Sequence, residues 1–484
     1  MNGFDFLILG GGPAGCVLAA RLSEDPGCRV ALVEAGPDYG PRTRGAWPAE
    51  LLDATAIPES HDWRDRDGSL PWARVIGGCS SHNACAVTRA APAEYDAWSA
   101  FGGDDWRWAT LGPCLSRART ALGASQIGPD AVGMWDQTVL DAARESGFAA
   151  VNDLDDQASG AAIVASNTSG VERVNAAFAY LDPARSRPNL TVLDRTLADR
   201  VLLRAGRASG ALVHGSSGPQ KLASDRVVLA AGGYGSPAIL MRSGIGPEDE
   251  LRAHGIRVRH LLRGVGAELA DHCRIGLGFE LREDVASALA AERSTRRRVA
   301  QTIVKWRLDG SGDALTDGHL LAIVPPDRSH GRITVGLFGL QSFGRVGLRS
   351  VDPAALPRVD ERFLSNLAGD DLARLVEGSE RARELVASDP LRRLVASEQE
   401  PGPSQSLAQH ARATAASFYH PTGTCRMGAP DDSGAVVDGA GRVHGLDGLL
   451  VADASIIPIS PRAGTHLTTL AVAERVAELT LAYV

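Results

Sequence analysis

Gly10-x-Gly12-x-x-Gly15 follows a largely apolar run at 4–9 and opens an apolar stretch that ends at Pro26-Gly27. That order predicts strand, tight turn and helix. Gly10 permits the turn, Gly12 lets the backbone approach a pyrophosphate, and Gly15 lets the helix pack on the strand. The start of the helix then offers its positive end to phosphate. A second strand at 29–33 closes a βαβ unit, and Glu34 follows at the spacing of an acid that binds ribose hydroxyls. The glycine pattern alone describes many turns. With strand, helix and acid in place it predicts dinucleotide binding, without separating NAD from FAD.

A chain of 484 residues exceeds one ordinary domain. Residues 36–73 are rich in Pro, Asp, Trp and Gly, long for a loop, and such loops usually line a site. A further apolar strand, RVVLAAGG at 226–233, precedes another Gly/Ser/Pro turn, and Ser236-Pro237 is expected to open the helix after it. Residues 275–425 change character, with a strand at 332–337 and a charged helix at 370–387. Strand, loop and helix return at 448–484. The expected organisation is a nucleotide-binding domain in pieces at 1–150, 151–274 and 435–484, with a second lobe mainly at 275–434.

The formal charge, 50 − 58 = −8, gives no footprint for nucleic acid or an anionic membrane. Seven cysteines, an odd count without a CxxC, argue against a disulfide framework or structural zinc; no metal site is expected. No apolar run reaches the length of a membrane span, and nothing resembling a signal peptide precedes the first strand. A cytoplasmic protein is expected.

Further segments carry potential chemistry. The run Arg74-Val-Ile-Gly77-Gly78-Cys-Ser-Ser-His82-Asn83 brings backbone close to something flat or anionic. Tyr419-His420-Pro-Thr-Gly-Thr-Cys-Arg-Met-Gly428, Val451-Ala-Asp453-Ala454 and Pro461-Arg-Ala-Gly-Thr-His466 follow. Thr465 can cap the last helix, which puts His466 at its positive end. Early tryptophans (Trp47, Trp63, Trp72, Trp98, Trp106, Trp108) suit either core packing or a site wall. Arg293, Arg296, Arg297 and Arg298 read as a solvated face. Asp271-His272 reads as structural.

Taken together, in this order, these segments resemble the glucose-methanol-choline (GMC) family of FAD-dependent oxidoreductases across nearly the whole chain. The resemblance selects FAD. It implies an α/β fold: a Rossmann-type FAD-binding domain assembled from discontinuous segments, plus an α+β substrate domain with an antiparallel sheet. It implies that Gly10, Gly12, Gly15 and Glu34 hold the ADP half, that Gly77, Gly78 and Asn83 lie along the flavin, that Asp453 and Ala454 reach the ribityl or pyrophosphate region, and that Val201 meets the adenine through its backbone. His420 and His466 match the family's catalytic pair.

That pair suits oxidation of an alcohol to an aldehyde or ketone. His420 takes the hydroxyl proton as hydride leaves carbon for flavin N5, and His466 binds the developing alkoxide. The expected partners are a small-molecule alcohol and an acceptor that is oxygen, a quinone or a carrier. The run GGCSSHN is similar to the stretch of choline oxidases in which a His is joined covalently to flavin, so a link through His82 is expected; Ala84 and Gly233 depart from the pattern. Choline itself lacks support, since neither an aromatic cage nor a carboxylate is identifiable for it. Size and composition fit compact actinobacterial, mycofactocin-associated members. The same fold also hosts lyases and a photodecarboxylase, the alternative reading.

Overall fold

The computed structural model describes residues 3–65, 68–152, 154, 159–292, 299, 301–308, 315–323 and 330–482. Two sheets organise them. In the first, the strands Leu190–Leu193, Val30–Val33, Phe4–Leu9, the end of Gly218–Leu229 and Leu449–Val451 run parallel, side by side. Parallel central strands are covered on both faces, which explains their largely apolar sequences. Leu7, Ile8, Leu9, Leu32 and Leu229 are fully buried. The strands Leu197–Arg204 and Arg207–Gly215 extend this sheet by antiparallel pairing onto the first half of Gly218–Leu229.

Register matters more here than strand count. Leu9 pairs with Val33 and with Leu229, and Leu229 pairs with Val451. The strands therefore end level, and Gly10, Glu34 and Ala230 emerge together, with Asp453 two residues past Val451. Open α/β sheets bind ligands at such carboxyl ends.

The second sheet is antiparallel, in the order Val395–Glu400, Cys273–Leu281, His330–Leu337, Gly318–Ile323, Thr302–Trp306, Gly160–Ile163. Alternation gives it two faces. Ile275, Leu277, Phe279, Ile333, Val335 and Leu337 join a core with Trp135 and Leu375 of the helices Met134–Glu145 and Asp370–Ala387. Arg274, His319, Leu321, Arg332 and Thr334 face the other way, into a cavity.

The helix Met134–Glu145 and the strand Gly160–Ile163 pack with this second sheet; they fall in the stretches 1–150 and 151–274, expected to hold the nucleotide-binding domain and, in the second, connecting segments as well. The helix expected to open at Ser236-Pro237 instead starts at Gly232 and carries Pro237 inside it. Proline has no N–H for the carbonyl four residues back. That carbonyl, on Gly233, accepts the Thr424 hydroxyl at 2.7 Å. A tertiary contact thus repairs what the local rule forbids. The arginine run 293–298 lies outside the described residues. No helix among the described residues is long and apolar enough to cross a membrane.

Candidate active site

One cavity of about 910 Å³ runs from the level strand ends to the open face of the second sheet. Gly10, Gly12, Glu34, Gly78, His82, Asn83, Asp453, Ala454, His420 and His466 all line it.

At its sheet end the three motif glycines separate into distinct jobs. Gly10 has φ +115°, and a Cβ there would lie 2.5 Å from the Ala230 carbonyl. A Cβ on Gly15 would lie 1.9 Å from the Gly10 carbonyl, so this glycine seats the helix and does not line the cavity. A Cβ on Gly12 would meet no protein atom closer than 3.9 Å. The space beside Gly12 is cavity, at the N-terminus of the helix Pro13–Leu22. The Glu34 carboxylate accepts Gly11 N–H at 2.8 Å and Gly36 N–H at 2.7 Å. Burial still pushes its pKa up to about 7.

Gly77, at φ +84°, donates its N–H to the Gly11 carbonyl at 2.7 Å, and a Cβ on Gly78 would lie 2.6 Å from Gly12 Cα. The two Gly-rich turns are thus pressed together, which neither turn's sequence alone reveals. Asp453 accepts from Gly232 N–H, Ser236 Oγ and Ser455 N–H, tying the last strand's loop to the helix at Gly232.

Val201 is a correction. It is buried in Leu197–Arg204, its N–H is spent on Ser243 Oγ at 2.8 Å, and it does not reach the cavity. The same strand presents Leu197 and Ala198 instead.

At the other end two imidazoles meet. His420 Nδ1 lies 2.8 Å from His272 Nδ1, and His272 Nε2 lies 3.1 Å from Ser460 Oγ. Of the two facing nitrogens one donates and the other accepts; where His420 Nδ1 donates, His272 Nδ1 accepts. His420 Nε2 then keeps a lone pair. The loop is held by Asp271, whose carboxylate accepts His420 N–H at 2.9 Å, His272 N–H at 2.7 Å and the Ser417 hydroxyl at 2.5 Å. Burial raises Asp271 to about 7. Tyr419, before His420, is held at φ +67°, a strained value for a tyrosine. Gly233 lies under this loop; a Cβ there would lie 2.8 Å from the Pro421 carbonyl.

His466 has the opposite polarity. Asn83 Oδ1 accepts Cys85 N–H at 3.0 Å, which turns Asn83 Nδ2 toward His466 Nδ1 at 3.4 Å. His466 Nδ1 accepts, so Nε2 carries the hydrogen. Nε2 is buried and has no partner among the described residues. Burial lowers both His420 and His466 to about 4, so both are neutral near pH 7. One presents a lone pair and the other an N–H, a pairing suited to a hydroxyl that loses its proton.

His82 lies 7% exposed, with Nδ1 3.3 Å from Asp62 Oδ1. Burial opposes charge on this ring, but its hydrogen bonds to Asp62 and Cys79 outweigh that and lift it to about 9. Of the tryptophans, Trp63 and Trp72 stack at 4.7 Å and line the cavity, whereas Trp98 and Trp106 are core. Sequence reading missed His272 as the partner of His420; the Asp-His dipeptide was visible, but its contact spans 148 residues. It also missed Arg274 and Arg332, which carry no local signal. Among the described residues no group of His, Cys, Asp or Glu is arranged to hold a metal.

The residues fit a flavin dinucleotide: a cleared space at Gly12, an acid at the end of the second strand, and an orphaned N–H at His466 facing the cavity. Comparison with known proteins agrees. Two GMC oxidoreductase family models match residues 4–274 and 341–473. A GMC-type oxidoreductase of Mycobacterium tuberculosis (strain ATCC 25618 / H37Rv) is 35% identical, with 98% of each chain covered. An oxygen-dependent choline dehydrogenase of Chromohalobacter salexigens is 30% identical, covering 98% of this chain and 94% of that one. The crystal structure of pyridoxine 4-oxidase from Mesorbium loti superposes with a TM-score of 0.88 at 28% identity, covering 99% of each chain.

Proposed function

This chain belongs to the GMC oxidoreductase family, is an FAD-dependent oxidoreductase acting on CH–OH groups, and, we propose, oxidises an alcohol to an aldehyde or ketone with His420 as the base. The observation that carries this reading is that His420 and His466 both line the cavity that begins at Gly12, His420 with its Nδ1 against His272 Nδ1 and His466 with a buried Nε2 that has no partner among the described residues.

FAD, when bound, supplies the acceptor for the hydride that leaves the carbinol carbon. The rest falls to the protein. His466 Nε2–H donates to the substrate oxygen and holds it. His420 Nε2 takes the hydroxyl proton, and His272 Nδ1 continues to accept from His420 Nδ1–H, so the imidazolium that results keeps its orientation. The neighbouring buried Asp271, through the backbone N–H groups of His272 and His420, keeps both rings in place. Gly10 and Gly12 with the helix N-terminus would hold the pyrophosphate, and Glu34 the ribose hydroxyls. Gly78, Asn83, Asp453 and Ala454 would border the rest of the cofactor, with Gly15 and Gly77 behind them as packing. His82 is the candidate covalent tether.

Anaerobic mixing of the FAD-loaded protein with a panel of alcohols tests the reading. Dark bleaching by one alcohol class is the expected result, and admitting air then separates oxygen from a quinone or carrier as acceptor. A fully loaded flavin that no alcohol bleaches would sink it in favour of a lyase or photochemical role.

A further inference from the structure

The open face of the second sheet is basic where it closes the cavity. Arg274 and Arg332 both line it. Arg274 stands two residues beyond His272, on the same face of its strand. Its Nε donates to the Ser417 carbonyl at 2.9 Å and its Nη2 to the Tyr419 hydroxyl at 3.1 Å. Its guanidinium lies 5.4 Å from the Tyr419 ring centre. These contacts aim it beside the His420 loop and leave Nη1 unused among the described residues.

Arg332 sits opposite Gly278 in the register, with Thr334 opposite Gly276. Its guanidinium reaches back over Gly276, where a Cβ would lie 2.3 Å from Nη2 and 2.4 Å from Nε. Glycine at 276 therefore clears the path that brings Arg332 toward Arg274. Arg332 makes no hydrogen bond among the described residues. Its one ion pair among them, to Glu400 at 3.6 Å, is exposed by 41% and 43% on the two side chains. Such a pair contributes little.

The acids elsewhere on the cavity wall are committed or remote. Glu34 and Asp453 hold backbone N–H groups at the first sheet, Asp62 holds His82, and Glu59 is on the exposed segment before the hairpin. The remainder of the wall at this end is apolar or neutral, including Ile303, Leu321, Ile323 and Phe418. Two guanidiniums with unspent donors, facing a chamber whose wall at this end carries no carboxylate among the described residues, are arranged to receive a planar anion.

We propose that the substrate is a hydroxy acid, an alcohol whose own carboxylate is bound between Arg274 and Arg332 while its carbinol lies at His420 and His466. This rests on the oxidation reading above and adds the substrate class. The arginines take no part in the bond changes. They orient the molecule, with the apolar walls accommodating whatever joins carboxylate to carbinol.

The test separates binding from turnover. FAD-loaded protein in the dark is titrated with benzoate, benzamide and phenyl phosphate, following the flavin absorbance. Benzoate is expected to perturb the spectrum saturably and to bind about tenfold or more tightly than benzamide. Arg332→Gln, and Gly276→Ala, which displaces the guanidinium without removing its charge, should each weaken benzoate about tenfold at unchanged flavin loading.

In turnover, hydroxymethylbenzoates should bleach the flavin faster than their methyl esters. Equal binding of benzoate and benzamide, tighter binding of phenyl phosphate than benzoate, indifference to Arg332→Gln, or equal reaction of acid and ester would each overturn the proposal. Arginine-dependent benzoate binding with no alcohol bleaching the flavin would support the anion site and remove the oxidation reading. Bleaching by neutral alcohols alone would do the reverse.

Discussion

His272 and His420 face each other Nδ1 to Nδ1 at 2.8 Å, and only one of those nitrogens can carry a hydrogen in that contact. The proposed base role puts that hydrogen on His420, which leaves its Nε2 a lone pair. On the proposed reading His272 is a positioning residue and His420 the group that meets substrate. His420→Ala is expected to lower kcat by about 10²–10⁴-fold with flavin retained. His272→Ala leaves His420 free to rotate and to exchange tautomers. Its kcat should fall by about tenfold or more, with KM little changed and an altered pH profile. With His420 at about 4, wild-type activity needs the unprotonated ring, so it holds above that pH and is lost as pH falls through it. An unchanged pH profile in His272→Ala would refute the positioning role.

Asn83 sets the tautomer of His466 through a chain that begins at the Cys85 N–H. His466→Ala removes the N–H offered to the substrate oxygen, and a loss of about 10²-fold in kcat is expected. Asn83→Asp reverses the hydrogen bond: a carboxylate accepts, His466 Nδ1 takes the hydrogen, and Nε2 becomes an acceptor. Its kcat should fall nearly as far as in His466→Ala, though the histidine is intact. Stopped-flow flavin reduction measures both, and wild-type reduction in Asn83→Asp would exclude the tautomer argument.

Gly12 and Gly15 are predicted to fail differently. Gly12→Ala adds a methyl with no protein atom within 3.9 Å, so the fold should keep its stability while FAD affinity drops. Gly15→Ala drives a methyl to 1.9 Å from the Gly10 carbonyl and should destabilise the protein by about 1–3 kcal/mol before any cofactor is added. Chemical denaturation of the FAD-free proteins, with FAD titration of each, distinguishes them. Equal destabilisation would show that the space at Gly12 is structural.

The first βαβ unit was legible because each of its constraints is local: Gly10, Gly12, Gly15 and Glu34 lie within 25 residues, and strand register then places them together. The histidine pair was legible only through whole-chain resemblance, since a lone His in a loop has no periodicity to expose it. The His272–His420 contact, the Asn83–His466 contact and the pressing of Gly78 onto Gly12 are long-range, made by packing that no sequence window contains. Val201 failed for a related reason. Alternation along a strand is legible, but the residue at which the strand passes the cavity depends on how the meander 197–229 sits on the parallel sheet. Pro237 misled because Thr424, nearly two hundred residues away, supplies the hydrogen bond that a proline inside a helix forfeits.

Thr424→Val tests that repair. Valine keeps the shape and removes the hydroxyl, leaving the Gly233 carbonyl buried without a donor. The expected cost is about 1–3 kcal/mol in denaturant unfolding. Since the helix beginning at Gly232 also donates an N–H to Asp453, FAD affinity should weaken as well. A variant as stable as wild type would mean that water reaches the Gly233 carbonyl.

Asp62 and Cys79 hold His82 at about 9, which bears directly on a covalent tether. A ring nitrogen must be free of its proton to bond to carbon, and near pH 7 this ring is mostly protonated. Covalent incorporation of FAD into FAD-free protein should therefore accelerate as pH rises through about 9 and level off above it. Asp62→Asn removes the carboxylate that favours the charged ring, so the same rise should move to lower pH. His82→Ala should bind FAD but release it all on acid precipitation, with the colour passing into the supernatant. Colour found in the wild-type supernatant after the same treatment would show that His82 holds the flavin without a bond, and its charge would then serve only the ion pair with Asp62.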